Sequence, residues 1–156
     1  MYQSYPCDYS LPAEWSPQSG IMLTWPHGGT DWKPYLRQIT DTYLELSEII
    51  TRYEQLLIAT PIVESTRRML AGRLSKEQMD HVHLYDIDSN DTWARDHGPI
   101  TLVSKNCRNG FIVPIHLLDF RFNGWGEKFA WQKDNAINLQ RDRKSTRLNS
   151  SHSSVS

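Results

Sequence analysis

Gln55-Leu-Leu-Ile-Ala-Thr60 is a short, nearly unbroken apolar run, and its flanks decide the fold. A run of this kind reads as a buried strand, apolar on both faces. Upstream, Ile21-Met-Leu-Thr-Trp25 is another such run, stopped by Pro26 and Gly28-Gly29, where turn residues end a strand. Between the two runs, Thr30 or Asp31 can cap a helix and Pro34 is tolerated in its first turn. Leu36, Ile39, Tyr43, Leu46, Ile50 and Tyr53 then recur at alternating steps of three and four, which predicts a long amphipathic helix laid over a sheet. Downstream, Val63 to Leu74 predicts a second helix, with Met69 and Leu70 inward and Arg67, Arg68 and Arg73 outward; Gly72 blurs its end. His81-Val-His-Leu-Tyr-Asp-Ile-Asp88 alternates polar and apolar residues, as a half-buried third strand does. The order strand, helix, strand, helix, strand is that of an α/β unit with crossover connections. Further on, Ile100 to Ser104 and Phe111 to Phe120 predict a hairpin closed by Lys105-Asn-Cys-Arg-Asn-Gly110. A last amphipathic helix starts near Phe129, with Phe129, Trp131, Ile137 and Leu139 inward.

Just past the third strand lies Asn90-Asp91-Thr92-Trp93-Ala94-Arg95-Asp96-His97-Gly98-Pro99. It packs two carboxylates, an indole, a guanidinium and a turn-forming Gly-Pro into one short stretch. A planar cation carries its donors in a fixed fork, so its site needs a carboxylate for paired hydrogen bonds and an aromatic face for the flat side. Asp91, Trp93 and Asp96 offer both. In an extended chain Asp91 and Trp93 share a face and Asp96 falls on the other, unless the backbone kinks before Gly98. The same residues also make an ordinary turn, with Asp91 as a cap, Arg95 paired with Asp96 and Trp93 in the core. Strand ends are where open α/β sheets place ligands, a rule framed for doubly wound folds and applied here by analogy.

Asp-Thr-Trp-Ala-Arg-Asp-His-Gly-Pro resembles the signature of the agmatine deiminase and bacterial, Porphyromonas-type peptidylarginine deiminase family. Leu11-Pro-Ala-Glu-Trp15 with Gln18-Ser-Gly-Ile-Met-Leu-Thr-Trp-Pro26, and Asp119-Phe-Arg-Phe-Asn-Gly-Trp-Gly126, resemble an earlier and a later stretch of the same proteins. The resemblance runs from about Leu11 to about Gln140 and covers the first part of a longer family member. It implies an α/β fold of the pentein type, here a truncated propeller with the first one to two ββαβ-like blades of five. The implied reaction is hydrolysis of a guanidino carbon–nitrogen bond: agmatine to N-carbamoylputrescine and ammonia, on the route to putrescine, or protein arginine to citrulline. In that chemistry two carboxylates hold the guanidinium, a thiolate attacks its central carbon to give an amidino-thioether, and a histidine donates a proton and then activates water. Asp96 matches the first carboxylate and is the expected catalytic residue of this chain. Trp93 walls the pocket, Asp91 and Arg95 support it, and Trp125 lines the channel. The family's second carboxylate, histidine and cysteine belong to later segments. Cys107 in its Asn-Cys-Arg-Asn context does not match that cysteine, and neither His97 nor His116 matches the histidine motif. The expectation is therefore an inactive fragment of a cofactor-free hydrolase. A non-enzymatic module that binds a guanidinium or a polyamine is an alternative from another class, and a same-fold amidinotransferase is a third.

Composition narrows the partners. Seventeen Lys and Arg against eighteen Asp and Glu leave a formal net charge of −1, which gives no electrostatic footprint for nucleic acid. The partner expected is a small guanidino molecule or a peptidyl-arginine, with homo-oligomerisation left open. Met1-Tyr-Gln-Ser-Tyr-Pro6 has no basic and apolar leader pattern, and the apolar run Phe111 to Leu118 is broken by Pro114 and His116; the reading is a soluble cytoplasmic protein. Two cysteines without a CxxC pair give neither a disulfide framework nor a zinc pattern, and His81 and His83 find no third ligand nearby. His27-Gly-Gly-Thr30 lacks the lysine and glycine spacing of a phosphate loop and reads as a turn. Trp15, Trp25, Trp32 and Trp131 read as core. From Arg141 the composition shifts to serine, asparagine and basic residues with no apolar face. Residues 1–140 are thus assigned to the N-terminal part of the domain, and 141–156 to a non-native or disordered tail.

Overall fold

The structure, a computed structural model, describes residues 8–104 and 115–140. The expected hairpin loop, the start of its second strand, Cys7, Cys107 and the tail from Arg141 lie outside the described residues. The chain divides into two compact units. One is drawn from the chain up to Pro17 and from Pro99–Phe120, the other from Gln18–Gly98 and the chain from Arg121 onward.

The smaller unit is an antiparallel sheet of β1 (Tyr9–Ser10), β5 (Ile100–Ser104) and β6 (Ile115–Leu118), in the order β1-β5-β6. The predicted hairpin pairs with Ile100 opposite Leu118 and Val103 opposite Ile115. β1 adds to its other edge, Tyr9 opposite Ser104, a strand too short to leave a periodic signal. Trp15, read as core, is 88% exposed in this unit.

The larger unit carries the predicted α/β order. β2 (Gly20–Thr24), β3 (Gln55–Thr60) and β4 (Val82–Asp86) form a parallel sheet in the order β2-β3-β4, with Ile21 opposite Leu56 and Leu56 opposite Val82. Parallel neighbours need crossovers. These are α1 (Leu36–Ile50), entered through a 3-10 turn at Lys33–Tyr35, and the pair α2 (Val63–Ala71) and α3 (Lys76–Met79). The central strand is buried on both faces, as its run predicts. On one face Leu56 and Ile58 pack with Trp25, Leu70 and Leu74, joined by Tyr43, Leu44, Ile50 and Met69 from the helices. On the other, Ala59 packs with Ile87 and Ile137, against which Met22 and Tyr85 lie. Each fully buried large aliphatic side chain contributes about 1.5–3 kcal/mol.

The inward face of α1 differs from the apolar count. Leu46 and Tyr53 are exposed, and Ser47 and Thr51 take core positions instead. The cause is self-satisfaction: the Ser47 hydroxyl donates to the Tyr43 carbonyl at 2.7 Å and the Thr51 hydroxyl to that of Ser47 at 2.7 Å. A hydroxyl bonded back to its own helix is cheap to bury. α3 was not predicted, although Ser75 and Gln78 form a capping box at its start. The last predicted helix is broken into short turns, α6 (Gln132–Asn135) and a further turn over 137–140. Ile137 faces the core as expected, whereas Phe129 and Leu139 are exposed. Among the described residues no helix is long and apolar enough to cross a membrane.

Candidate functional site

β4 ends at Asp86, and the chain beyond it turns across the carboxyl end of the parallel sheet. At Ala94 it winds into α4 (Ala94–His97). This helical turn is the kink that strict alternation lacked: the Asp96 amide donates to the Trp93 carbonyl at 2.9 Å and the Gly98 amide to that of Ala94 at 2.8 Å. Gly98 allows the turn to close, since a Cβ there would collide with the Ala94 carbonyl oxygen.

The opposing wall comes from α5 (Gly124–Glu127), which is a left-handed turn. Gly124, Trp125, Gly126 and Glu127 all have positive φ, at 62°, 56°, 83° and 64°. Two of the four are non-glycine, a conformation that costs an L-residue roughly 1–2 kcal/mol. Gly124 is also pressed on the Phe129 carbonyl, 2.6 Å from where its Cβ would sit. Asn123 caps the turn by accepting from the Gly126 amide at 3.1 Å. The turn delivers the Trp125 indole edge-on to three rings: Trp93 at 5.6 Å, Phe122 at 5.2 Å and Phe129 at 5.7 Å between centroids. Trp125 Nε1 donates to Asp96 Oδ1 at 3.3 Å.

Between these walls lies a cavity of about 280 Å³, lined by Gly29, Asp31, Asn90, Asp91, Trp93, Phe122, Trp125, Phe129, Ala130 and Asp134. Among the described residues the lining holds three aspartates and no basic side chain. Of the residues predicted from sequence, Asp91, Trp93 and Trp125 line it together. Asp96 is exposed and joins it through its hydrogen bond to Trp125. Arg95 is exposed on α4 and is not part of the lining.

Several supporting residues escaped the sequence reading. Asp134 is 1% exposed, and its Oδ1 accepts the backbone amides of Asn90 at 2.6 Å and Asp91 at 3.2 Å. Burial pushes its carboxyl above the usual carboxylate range, against the opposing pull of those two amides. Asn90 returns the tie by accepting the Lys133 amide at 2.9 Å. Asp91 Oδ1 accepts the Thr92 amide at 2.8 Å, and Thr92 Oγ1 accepts Trp32 Nε1 at 2.9 Å. A lone aspartate in a polar helix and a tryptophan after a turn give no sequence signal of this kind.

The nearby histidines are structural. His27 Nδ1 accepts the Gly29 amide at 3.1 Å, so its Nε2 carries the proton and donates to Ser89 Oγ at 3.2 Å. That polarity is the reverse of what activates a serine nucleophile. The His27-to-Thr30 segment is the expected turn, closed by the Thr30 amide on the His27 carbonyl. His97 is buried, 3.2 Å from Thr24 Oγ1 through Nε2, and desolvation pushes its pKa down to about 4. His81 pairs with the Thr51 carbonyl and His83 with Gln55 Oε1. Among the described residues no cluster of three His, Cys, Asp or Glu could hold a metal ion.

Residues 10–153 match the family described as Porphyromonas-type peptidyl-arginine deiminase. A curated relative from Shewanella baltica, provisionally named an agmatine deiminase, is 30% identical over 139 residues, 85% of this chain and 34% of its own. Among solved structures, a substrate-bound variant of the C. jejuni agmatine deiminase superposes with a TM-score of 0.74 at 32% identity, over 90% of this chain and 38% of that one. A structure from Porphyromonas gingivalis, provisionally described as an arginine deiminase, superposes with a TM-score of 0.68 at 35% identity, over 85% and 36%. The chain thus spans about a third of the length of the curated relatives it matches.

Proposed function

Since the chain belongs to the Porphyromonas-type peptidyl-arginine deiminase family, we propose that its cavity is the guanidinium-binding part of an agmatine deiminase-type site. The observation that carries this reading is the lining itself, which brings Asp91 and two tryptophans to one cavity with no basic side chain among its described lining residues. Carboxylates supply the charge and the paired acceptors a guanidinium needs, and the indoles supply faces for its flat side. Asp96 is the carboxylate assigned to the catalytic role, oriented by Trp125; Trp93 and Asp91 complete the binding wall, and Arg95 supports the turn from outside. The substrate is agmatine, converted to N-carbamoylputrescine and ammonia in putrescine synthesis. Peptidyl-arginine is the second reading, favoured by the family's description. The two units are read as the first one to two blades of a five-bladed pentein propeller. The domain boundary is set near Gln140, and the site of action in the cytoplasm.

The 156-residue chain on its own binds but does not turn over either substrate, because no residue of it matches the family's histidine and cysteine motifs. Titrating agmatine into the chain while following tryptophan fluorescence tests the site. Binding is expected, and Asp96→Asn is expected to weaken it about tenfold by removing one charge-assisted acceptor at constant volume. Unchanged affinity in a folded D96N would remove Asp96 from the site, and a wild-type chain that binds no agmatine would remove the site itself. Ammonia release from agmatine by the chain, lost in Cys107→Ala, would overturn the expectation of inactivity.

A further inference from the structure

The motif that carries Asp91 and Trp93 has no regular secondary structure between β4 and α4, so its backbone needs an external anchor. One carboxylate oxygen supplies it: Oδ1 of Asp134 takes both the Asn90 and the Asp91 amides. The acceptor comes from a segment more than forty residues away, and the neighbouring Lys133 amide bonds back to Asn90 Oδ1 at 2.9 Å. Asn135 extends the clamp, its Oδ1 accepting the Phe122 amide at 2.8 Å. Thus the α6 segment ties both walls, the one bearing Asp91 and Trp93 and the one leading to Trp125.

We propose that Asp134 is a positioning residue of the cation site, which acts through its hydrogen bonds to the Asn90 and Asp91 amides and sets the direction in which Asp91 and Trp93 meet the ligand. This rests on the guanidinium-binding reading above. The alternative role for a buried acid in this lining is direct charge pairing with the cation, and the two differ in what a neutral acceptor can replace. An asparagine at position 134 keeps one carbonyl oxygen at nearly the same place. A leucine fills the volume and leaves two part-buried amides without their acceptor, the more costly omission.

The test uses the 156-residue chain with agmatine as the probe and tryptophan fluorescence as the readout. Positioning predicts a graded series: Asp134→Asn weakens binding about threefold, and Asp134→Leu by about tenfold or more. Equal, large losses in both variants would show that the negative charge itself meets the ligand and would overturn the proposal. Wild-type affinity in a folded D134L would overturn it as well. Amide hydrogen exchange covers the case in which D134L does not fold: the Asn90 and Asp91 amides are expected to exchange slowly in the wild type and in D134N. Fast exchange of those amides in the wild type would refute the anchor. If the wild type shows slow exchange at these amides but no agmatine binding, the guanidinium reading has failed rather than the hydrogen-bonded anchor.

Discussion

Replacing Trp125 by alanine and by glycine separates the backbone of the site wall from its ring. At φ 56°, ψ 48° any L-residue carries the cost of the left-handed region, roughly 1–2 kcal/mol, and glycine does not. In ordinary helices glycine is the worse choice by about 0.5–1 kcal/mol, because it loses more backbone entropy on folding. Here the steric term exceeds the entropic one, so Trp125→Gly is expected to be more stable than Trp125→Ala by about 1 kcal/mol. Both variants lose edge-on contacts with Trp93, Phe122 and Phe129. Such pairs contribute about 0.5–1.5 kcal/mol each beyond area burial, and less here because Trp125 is 42% exposed. The alanine variant should therefore fall below wild type by about 2–4 kcal/mol and the glycine variant by about 1–3 kcal/mol. Urea denaturation followed by far-ultraviolet circular dichroism measures both. Alanine equal to or more stable than glycine would refute the claim that the turn is strained at Trp125, whatever happens to ligand binding.

Ile137 is fully buried against Ala59 and Ile87, so Ile137→Ala is expected to cost about 2–4 kcal/mol in urea denaturation; a cost under about 1 kcal/mol would place Ile137 outside the core. His97, with its pKa held near 4, stays neutral in the folded chain while the unfolded chain takes up a proton near 6.5. Stability is therefore lost as pH falls from about 6.5 toward 4, by up to about 3 kcal/mol. His97→Gln should flatten that slope relative to wild type, and parallel pH profiles would show that His97 does not carry it.

The central strand was legible because a strand buried on both faces is apolar along its length, as Leu56, Ile58 and Ala59 are, and the third strand by the alternation of a half-buried one. The motif stood out because carboxylates and an indole fall together just past a strand end, but the same residues also make an ordinary turn, and only its resemblance to the deiminase family decided between the two. What the pattern missed follows from physics that hydrophobic counting omits. Ser47 and Thr51 go inward because their own helix satisfies them. Trp15 stays outside although its size favours burial. Asp96 reached the aromatic wall through a helical turn that alternation could only allow for. Asp134 was invisible because its partners are backbone amides 43 and 44 residues away, and amides look alike in every sequence.

That last separation also fixes an order of events during synthesis. The Asn90 and Asp91 amides leave the ribosome well before the aspartate that accepts from them, and the excursion Pro99–Phe120 through the smaller unit has to be translated in between. At about 5–20 residues per second, several seconds pass before the native acceptor of the Asn90 and Asp91 amides has been made. The acidic pocket is thus assembled retroactively, and a nascent chain halted before Asp134 would display its tryptophan to the cell without the carboxylate that aims it.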